Sequence, residues 1–174
     1  MNKIKEKFSN ELKDYKSTLK LTSYDKVHQE YLCRDNQLEV FNFDKYIDNV
    51  VYRGQDNPHS PDAIYLGINK IYFIEFKNSP YSNIKEKKIK KKFLNGVNEI
   101  KKILHNCNYE HINFIFCVVY KNQKKSPYFN PSSIESNIVK FGLNTENKKL
   151  DNFYNYIITQ DVNYYKDNFK QLKC

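Results

Sequence analysis

The chain is poor in small residues: of 174 residues, one is alanine (Ala63) and four are glycine. Arginine is nearly absent too, with only Arg34 and Arg53 set in a background rich in Lys, Asn, Ile and Tyr. An AT-rich coding sequence produces that bias whatever its product does. The net charge of +9 therefore means less than where the lysines cluster. No apolar run approaches the ~18 residues of a membrane span, which excludes a spanning helix. The opening segment MNKIKEKFSNELKD mixes charged with apolar residues and has no export-signal core, so an intracellular protein without membrane contact is expected. The cysteines Cys33, Cys107, Cys117 and Cys174 include no C-x-x-C pair, and without an export signal no disulfide framework is expected. His105, Cys107, His111 and Cys117 fit no zinc-ligand spacing, and Cys117 reads as a buried structural thiol. No Gly-rich phosphate loop ending in Gly-Lys-Ser or Gly-Lys-Thr is present, so no ATP-driven activity is implied.

What is present argues for one folded domain over 1–174. Hydrophobic residues make up 40% of the chain, with 15 Tyr and 12 Phe, which is too apolar for disorder. Ile4, Phe8, Leu12, Tyr15 and Leu19 recur at helical spacing, predicting a helix over residues 2–20. Tyr24, Val27, His28 and Tyr31 repeat that pattern briefly over 23–33. Leu38–Phe43 alternates like a strand, and Asn49–Arg53 offers a second, weaker strand signal. Gly54–Pro61 reads as loop. Ala63–Leu66 and Ile71–Lys77 flank a Gly67-Ile68-Asn69-Lys70 turn and read as a hairpin. A helix is expected from Asn83 to Leu104, striped by Ile89, Phe93, Val97, Ile100 and Leu104, with Gly96 marking close packing. Ile112–Tyr120 is apolar almost throughout, as in a strand buried on both faces. Residues 121–133 read as a Pro-containing basic loop, and the remainder alternates weak helix and strand signals in no clear order. The expected class is α/β, a mixed sheet flanked by helices.

The chemistry concentrates in Pro61-Asp62 and, thirteen residues on, Glu75-Phe76-Lys77. A turn centred between Ile68 and Asn69 sets Leu66 opposite Ile71 and Asp62 opposite Glu75. Facing residues have Cβ atoms roughly 4.5–5.5 Å apart. Lys77, two residues past Glu75, projects from the same face. Two carboxylates so placed repel by roughly 3 kcal/mol at an effective dielectric of ~20. Something positive should lie between them: Lys77 offers one charge, and a divalent cation would offer two. Oxygen donors of this kind suit Mg²⁺ or Mn²⁺ rather than zinc.

On these residues and the order of elements over about 60–120, the chain resembles the PD-(D/E)xK nuclease superfamily. The resemblance implies a restriction-endonuclease-like αβββαβ core and metal-dependent hydrolysis of phosphodiester bonds, with DNA ranked ahead of RNA. It implies Asp62, Glu75 and the Phe76 carbonyl as metal ligands, and Lys77 as the group that orients or deprotonates the attacking water. Many members add an acid from an upstream helix; the candidates here are Glu11 and Glu30. Cap-snatching RNA endonucleases use an upstream histidine, for which His28 is the candidate. Members of this size often act as dimers, though no feature of the sequence establishes one.

Lysines at 85, 87, 88, 90, 91, 92, 101 and 102 surround the apolar stripe of the 83–104 helix. Lys85, Lys88, Lys91 and Lys92 are the candidates for holding a phosphate backbone, and a solvated lysine face explains most of them equally well. Arg53 is either a forked phosphate contact or an ordinary salt bridge. Lys121, Lys124 and Lys125 form a second basic patch. Three functions stand at this point: a Mg²⁺- or Mn²⁺-dependent endonuclease, a cap-snatching RNA endonuclease, and a non-catalytic nucleic-acid-binding module.

Overall fold

The computed structural model describes residues 3–52, 59–122, 138–169, 172 and 174. The first helix, α1 (Lys3–Glu11), buries Ile4 and Phe8, as the spacing predicts. It stops far short of residue 20, however. After a 3₁₀ turn at Lys13–Tyr15 the chain becomes strand β1 (Lys16–Thr18), which pairs antiparallel with β4 (Glu39–Asn42). Backbone pairing with the sheet outweighs the helical periodicity there. Thr18 then caps a one-turn helix, α2 (Leu19–Thr22), by accepting the Leu21 N–H at 3.2 Å.

Residues 23–33 are no helix either. They form a two-stranded ribbon, β2 (Tyr24–Asp25) against β3 (Glu30–Tyr31), turned by Gln29 at φ +52°. Val27 is 85% exposed, so the apolar spacing that suggested a helix buries nothing at that position. After β4 come α3 (Phe43–Tyr46) and a π-type turn at Ile47–Tyr52, where a strand was expected. Arg53, most of the 54–61 loop, and Lys124 and Lys125 lie outside the described residues.

The central hairpin follows its predicted register. β5 (Ala63–Gly67) pairs with β6 (Lys70–Lys77), Leu66 opposite Ile71 and Ala63 opposite Ile74. Asn69, at φ +48°, takes the left-handed position that asparagine tolerates in turns. α4 (Glu86–Ile103) then leads to β7 (Asn113–Tyr120), parallel to β6. The chain continues through α5 (Leu143–Lys148), β8 (Tyr156–Asp161, parallel to β7) and α6 (Val162–Asn168).

The result is a mixed six-stranded sheet in the order β1-β4-β5-β6-β7-β8, antiparallel up to β6 and parallel beyond it. Side chains alternate across it. Ile71 and Phe73 of β6, with Phe114, Phe116 and Val118 of β7, join α1 and the Ile89/Phe93/Val97/Ile100 stripe of α4 in one core. Tyr72, Ile74 and Phe76, with Ile115, Cys117 and Val119, face Leu19, Tyr165 and Leu172 in the other. Cys117 is a buried free thiol, as expected.

Cys33 and Cys174 are joined by a disulfide, contrary to the expectation from the sequence. A separation of 141 residues concealed their proximity. The Arg34 N–H donates to the Cys174 carbonyl at 3.1 Å, which brings the two chain segments together. Disulfides persist mainly in oxidising compartments, so the bond does not support the intracellular expectation. No helix among the described residues is long and apolar enough to cross a membrane.

Candidate functional site

Glu75 lies on the α4 side of β6, in the row that Ile71 and Phe73 start. Its side chain is 0% exposed. A carboxylate at such a position needs counter-charge, because an isolated buried ion costs far more than any packing it allows. Two ammonium groups supply it. Lys77, two residues along the same face, contacts Oε1, and Lys92 of α4 approaches Oε2 at 2.9 Å. The two Glu75 oxygens are thus each met by an ammonium group.

Asp62 stands at the mouth of β5, and its two oxygens have different work. Oδ2 accepts the Phe76 N–H at 2.7 Å, fixing the carboxylate across the hairpin. Oδ1 meets the same Lys92 ammonium at 2.7 Å. The two acids are thus brought together on one side of the sheet and share one cation, as the hairpin register requires. Lys92, grouped with the phosphate-binding lysines from its sequence, instead points inward with its side chain 13% exposed. Its place is set by the helix. It adjoins Phe93 of the buried stripe, and Gly96 one turn on lets α4 approach the Pro61 ring, which a Cβ there would meet at 3.0 Å.

The charges perturb one another. Burial pushes Glu75 up to about 7, with the Asp62 charge adding to the shift and Lys92 and Lys77 opposing it. Burial alone would lower Lys92, but Asp62, Glu75 and Asp44 together hold its ammonium well above the ordinary lysine range.

Asp44 is a residue that the sequence reading missed. It sits in the first turn of α3, where the Phe43 N–H donates to the Asp62 carbonyl at 3.1 Å. Its Oδ1 accepts the hydroxyl of buried Ser60 at 2.8 Å. Burial raises its pKa, Lys92 lowers it and Asp62 raises it again. The available signal was an acid at the strand-to-helix junction closing the alternating Leu38–Phe43 run. His59, also unassigned from sequence, is held below the ordinary histidine range by burial and by Lys91, Lys92 and Lys88.

The other candidates lie elsewhere. Glu11 accepts the Tyr46 hydroxyl at 2.9 Å. Glu30 is bound by Lys121 at 2.5 Å and Asn78 at 2.7 Å. His28, exposed on the β2–β3 ribbon, pairs with Asp25 at 2.7 Å. The structure brings none of the three to Asp62 and Glu75. Lys85, Lys88 and Lys91 are exposed, Lys85 at the N-cap of α4.

Comparison with protein-family models, curated proteins and solved structures found no match to the chain. The reading of the site rests on its geometry. Among the described residues no group of three or more His, Cys, Asp or Glu side chains is arranged to hold a metal ion. The pair Asp62 and Glu75 presents oxygen donors only, one of the two side chains fully buried, and both contact the same Lys92 ammonium.

Proposed function

We propose that this protein is a divalent-metal-dependent nuclease with a restriction-endonuclease-like core, hydrolysing phosphodiester bonds of nucleic acid. The observation that carries the reading is the single ammonium shared by Asp62 and Glu75, two acids from facing strands on one side of the sheet. Support for such a core comes from the adjacent antiparallel strands β4, β5 and β6 followed by the crossover α4 and the parallel β7. β1, α2 and the β2–β3 ribbon intervene between α1 and β4, and α3 between β4 and β5.

Asp62 and Glu75 fit Mg²⁺ or Mn²⁺, which when bound would polarise the scissile phosphate and lower the pKa of its own water. The protein's side chains account for the rest. The Phe76 amide fixes one face of Asp62, leaving Oδ1 for the cation position. Lys77, a quarter exposed beside Glu75, can donate to an attacking water or to a phosphate oxygen. Lys92 holds the two carboxylates together, and exposed Lys88 and Lys91 on the same helix attract the phosphate backbone.

One observation favours a second reading, a nucleic-acid-binding module without catalysis: Lys92 already neutralises the acids without any metal. Incubation with single- and double-stranded DNA and RNA in Mg²⁺, Mn²⁺ or EDTA separates the two. The nuclease reading predicts cleavage that EDTA stops and that Asp62→Asn and Lys77→Ala each abolish while binding persists. Binding without cleavage in Mn²⁺ would favour the module. Wild-type cleavage by either variant would refute the site.

A further inference from the structure

We infer that Lys92 is an exchangeable internal counter-ion, whose ammonium gives way when a divalent cation binds Asp62 and Glu75 and moves to Asp44. The inference deepens the nuclease reading and rests on it for the cation. Every oxygen of the acidic pair is engaged. Asp62 Oδ2 accepts the Phe76 N–H at 2.7 Å, and Glu75 Oε1 is met by Lys77. The remaining two, Asp62 Oδ1 and Glu75 Oε2, are both taken by Lys92, at 2.7 and 2.9 Å. A cation held jointly by the two acids needs an oxygen from each, and the two that already converge on one point are those Lys92 holds. Two cations at that point repel, and little water reaches them to screen the repulsion: Glu75 is fully buried and Lys92 only 13% exposed.

Of the two lysines, Lys92 is the one placed to leave. Lys77 touches Glu75 alone and lies two residues from it on the same strand. Lys92 reaches the acids from α4, on a flexible four-carbon stem that turns without moving the helix. The helix stays in place because Gly96 lies against the Pro61 ring, beside Asp62. An ammonium at this depth needs another acid when it leaves the first pair. Asp44 is that acid. The Phe43 N–H donates to the Asp62 carbonyl at 3.1 Å, which keeps the first turn of α3 beside Asp62. Ser60 holds Asp44 Oδ1 at 2.8 Å, and the Asp44 and Lys92 charges already attract one another. The metal-free chain therefore folds with its acids compensated, and a cation enters against competition from the protein's own side chain.

The test titrates the full chain with Mn²⁺ at pH 8 and follows free Mn²⁺ by electron paramagnetic resonance. With the competitor removed, Lys92→Met should bind Mn²⁺ roughly five- to 150-fold more tightly than wild type, the usual range for coupling between two bound groups. Lys92→Gln, which keeps a hydrogen-bond donor for Asp62, should do the same. A lysine that only organises the acids gives the opposite sign, weaker binding in both variants. Asp44→Asn should weaken Mn²⁺ binding more in wild type than in Lys92→Met, because only wild type has an ammonium to relocate. If neither Lys92 variant folds alone, melting in Mn²⁺ decides: recovery of the fold supports the exchange, and failure to recover overturns it. Mn²⁺ bound by wild type, but no more tightly by the Lys92 variants, overturns the exchange and leaves the nuclease reading standing. Mn²⁺ bound by the Lys92 variants alone upholds the competition and removes the nuclease reading of wild type. No binding by wild type or variants removes both.

Discussion

Replacing Lys92 with methionine removes the shared cation while keeping most of the side-chain volume. In the wild type Glu75 takes up its proton near pH 7, against an ordinary value of 4.5. Between those values the folded state binds a proton that the unfolded chain has released. Folding stability therefore falls as pH rises through that window, by about 3 kcal/mol in all, and levels off above it. Lys92 opposes this cost by lowering Glu75 and pairing with Asp62. Without it, two carboxylates remain buried or half-buried with only Lys77 nearby, and breaking a buried pair in this way costs about 3–5 kcal/mol. At pH 8 Lys92→Met should lose that much. At pH 5 Glu75 is protonated in wild type and variant alike, and the loss should shrink toward the ~1.5–3 kcal/mol of a charged hydrogen bond to Asp62. Urea denaturation at pH 5, 6, 7 and 8, extrapolated linearly to water, measures both. A loss equal at pH 5 and pH 8, or a variant as stable as wild type at pH 8, would refute the reasoning.

Three further substitutions test the surroundings of the site. Gly96→Ala gains about 1 kcal/mol of helix propensity but drives a Cβ into the Pro61 ring at 3.0 Å, and overpacking costs about 1–3 kcal/mol. A net destabilisation of about 1 kcal/mol with reduced cleavage is expected in thermal melts and activity assays. Asp44→Asn keeps an acceptor for Ser60 but removes a charge facing Lys92 and Asp62, and should lower cleavage roughly 10–100-fold. Glu30→Gln, whose partners are Lys121 and Asn78 rather than the two acids, should cleave at the wild-type rate in the same assay.

The hairpin was legible because a short turn and two apolar strands leave one register that keeps both apolar faces buried. The same holds for α4, whose stripe fixes which side faces the sheet, and for β7, apolar on both sides because cores lie on both. Elements settled by partners distant in sequence were not legible. Lys16–Thr18 is a strand only because β4 offers it backbone groups. Periodicity at 23–33 resembled a helix, but the ribbon spends Tyr24 and Tyr31 on one another, their rings 4.8 Å apart. Asp62, Glu75 and Lys77 could be placed together from register alone. Lys92 could be placed near them but not between them, since its inward turn depends on Gly96 meeting Pro61. Asp44 depends on where α3 starts, and the Cys33–Cys174 bond on where the last residues pack.

Whether Asp62 and Glu75 form a divalent-cation site is tested most directly by titrating the protein with Mn²⁺ and following free Mn²⁺ by electron paramagnetic resonance. One bound ion per chain is predicted, lost in both Asp62→Asn and Glu75→Gln. A protein that leaves all Mn²⁺ free at millimolar concentration, or variants that bind it as wild type does, would contradict the account.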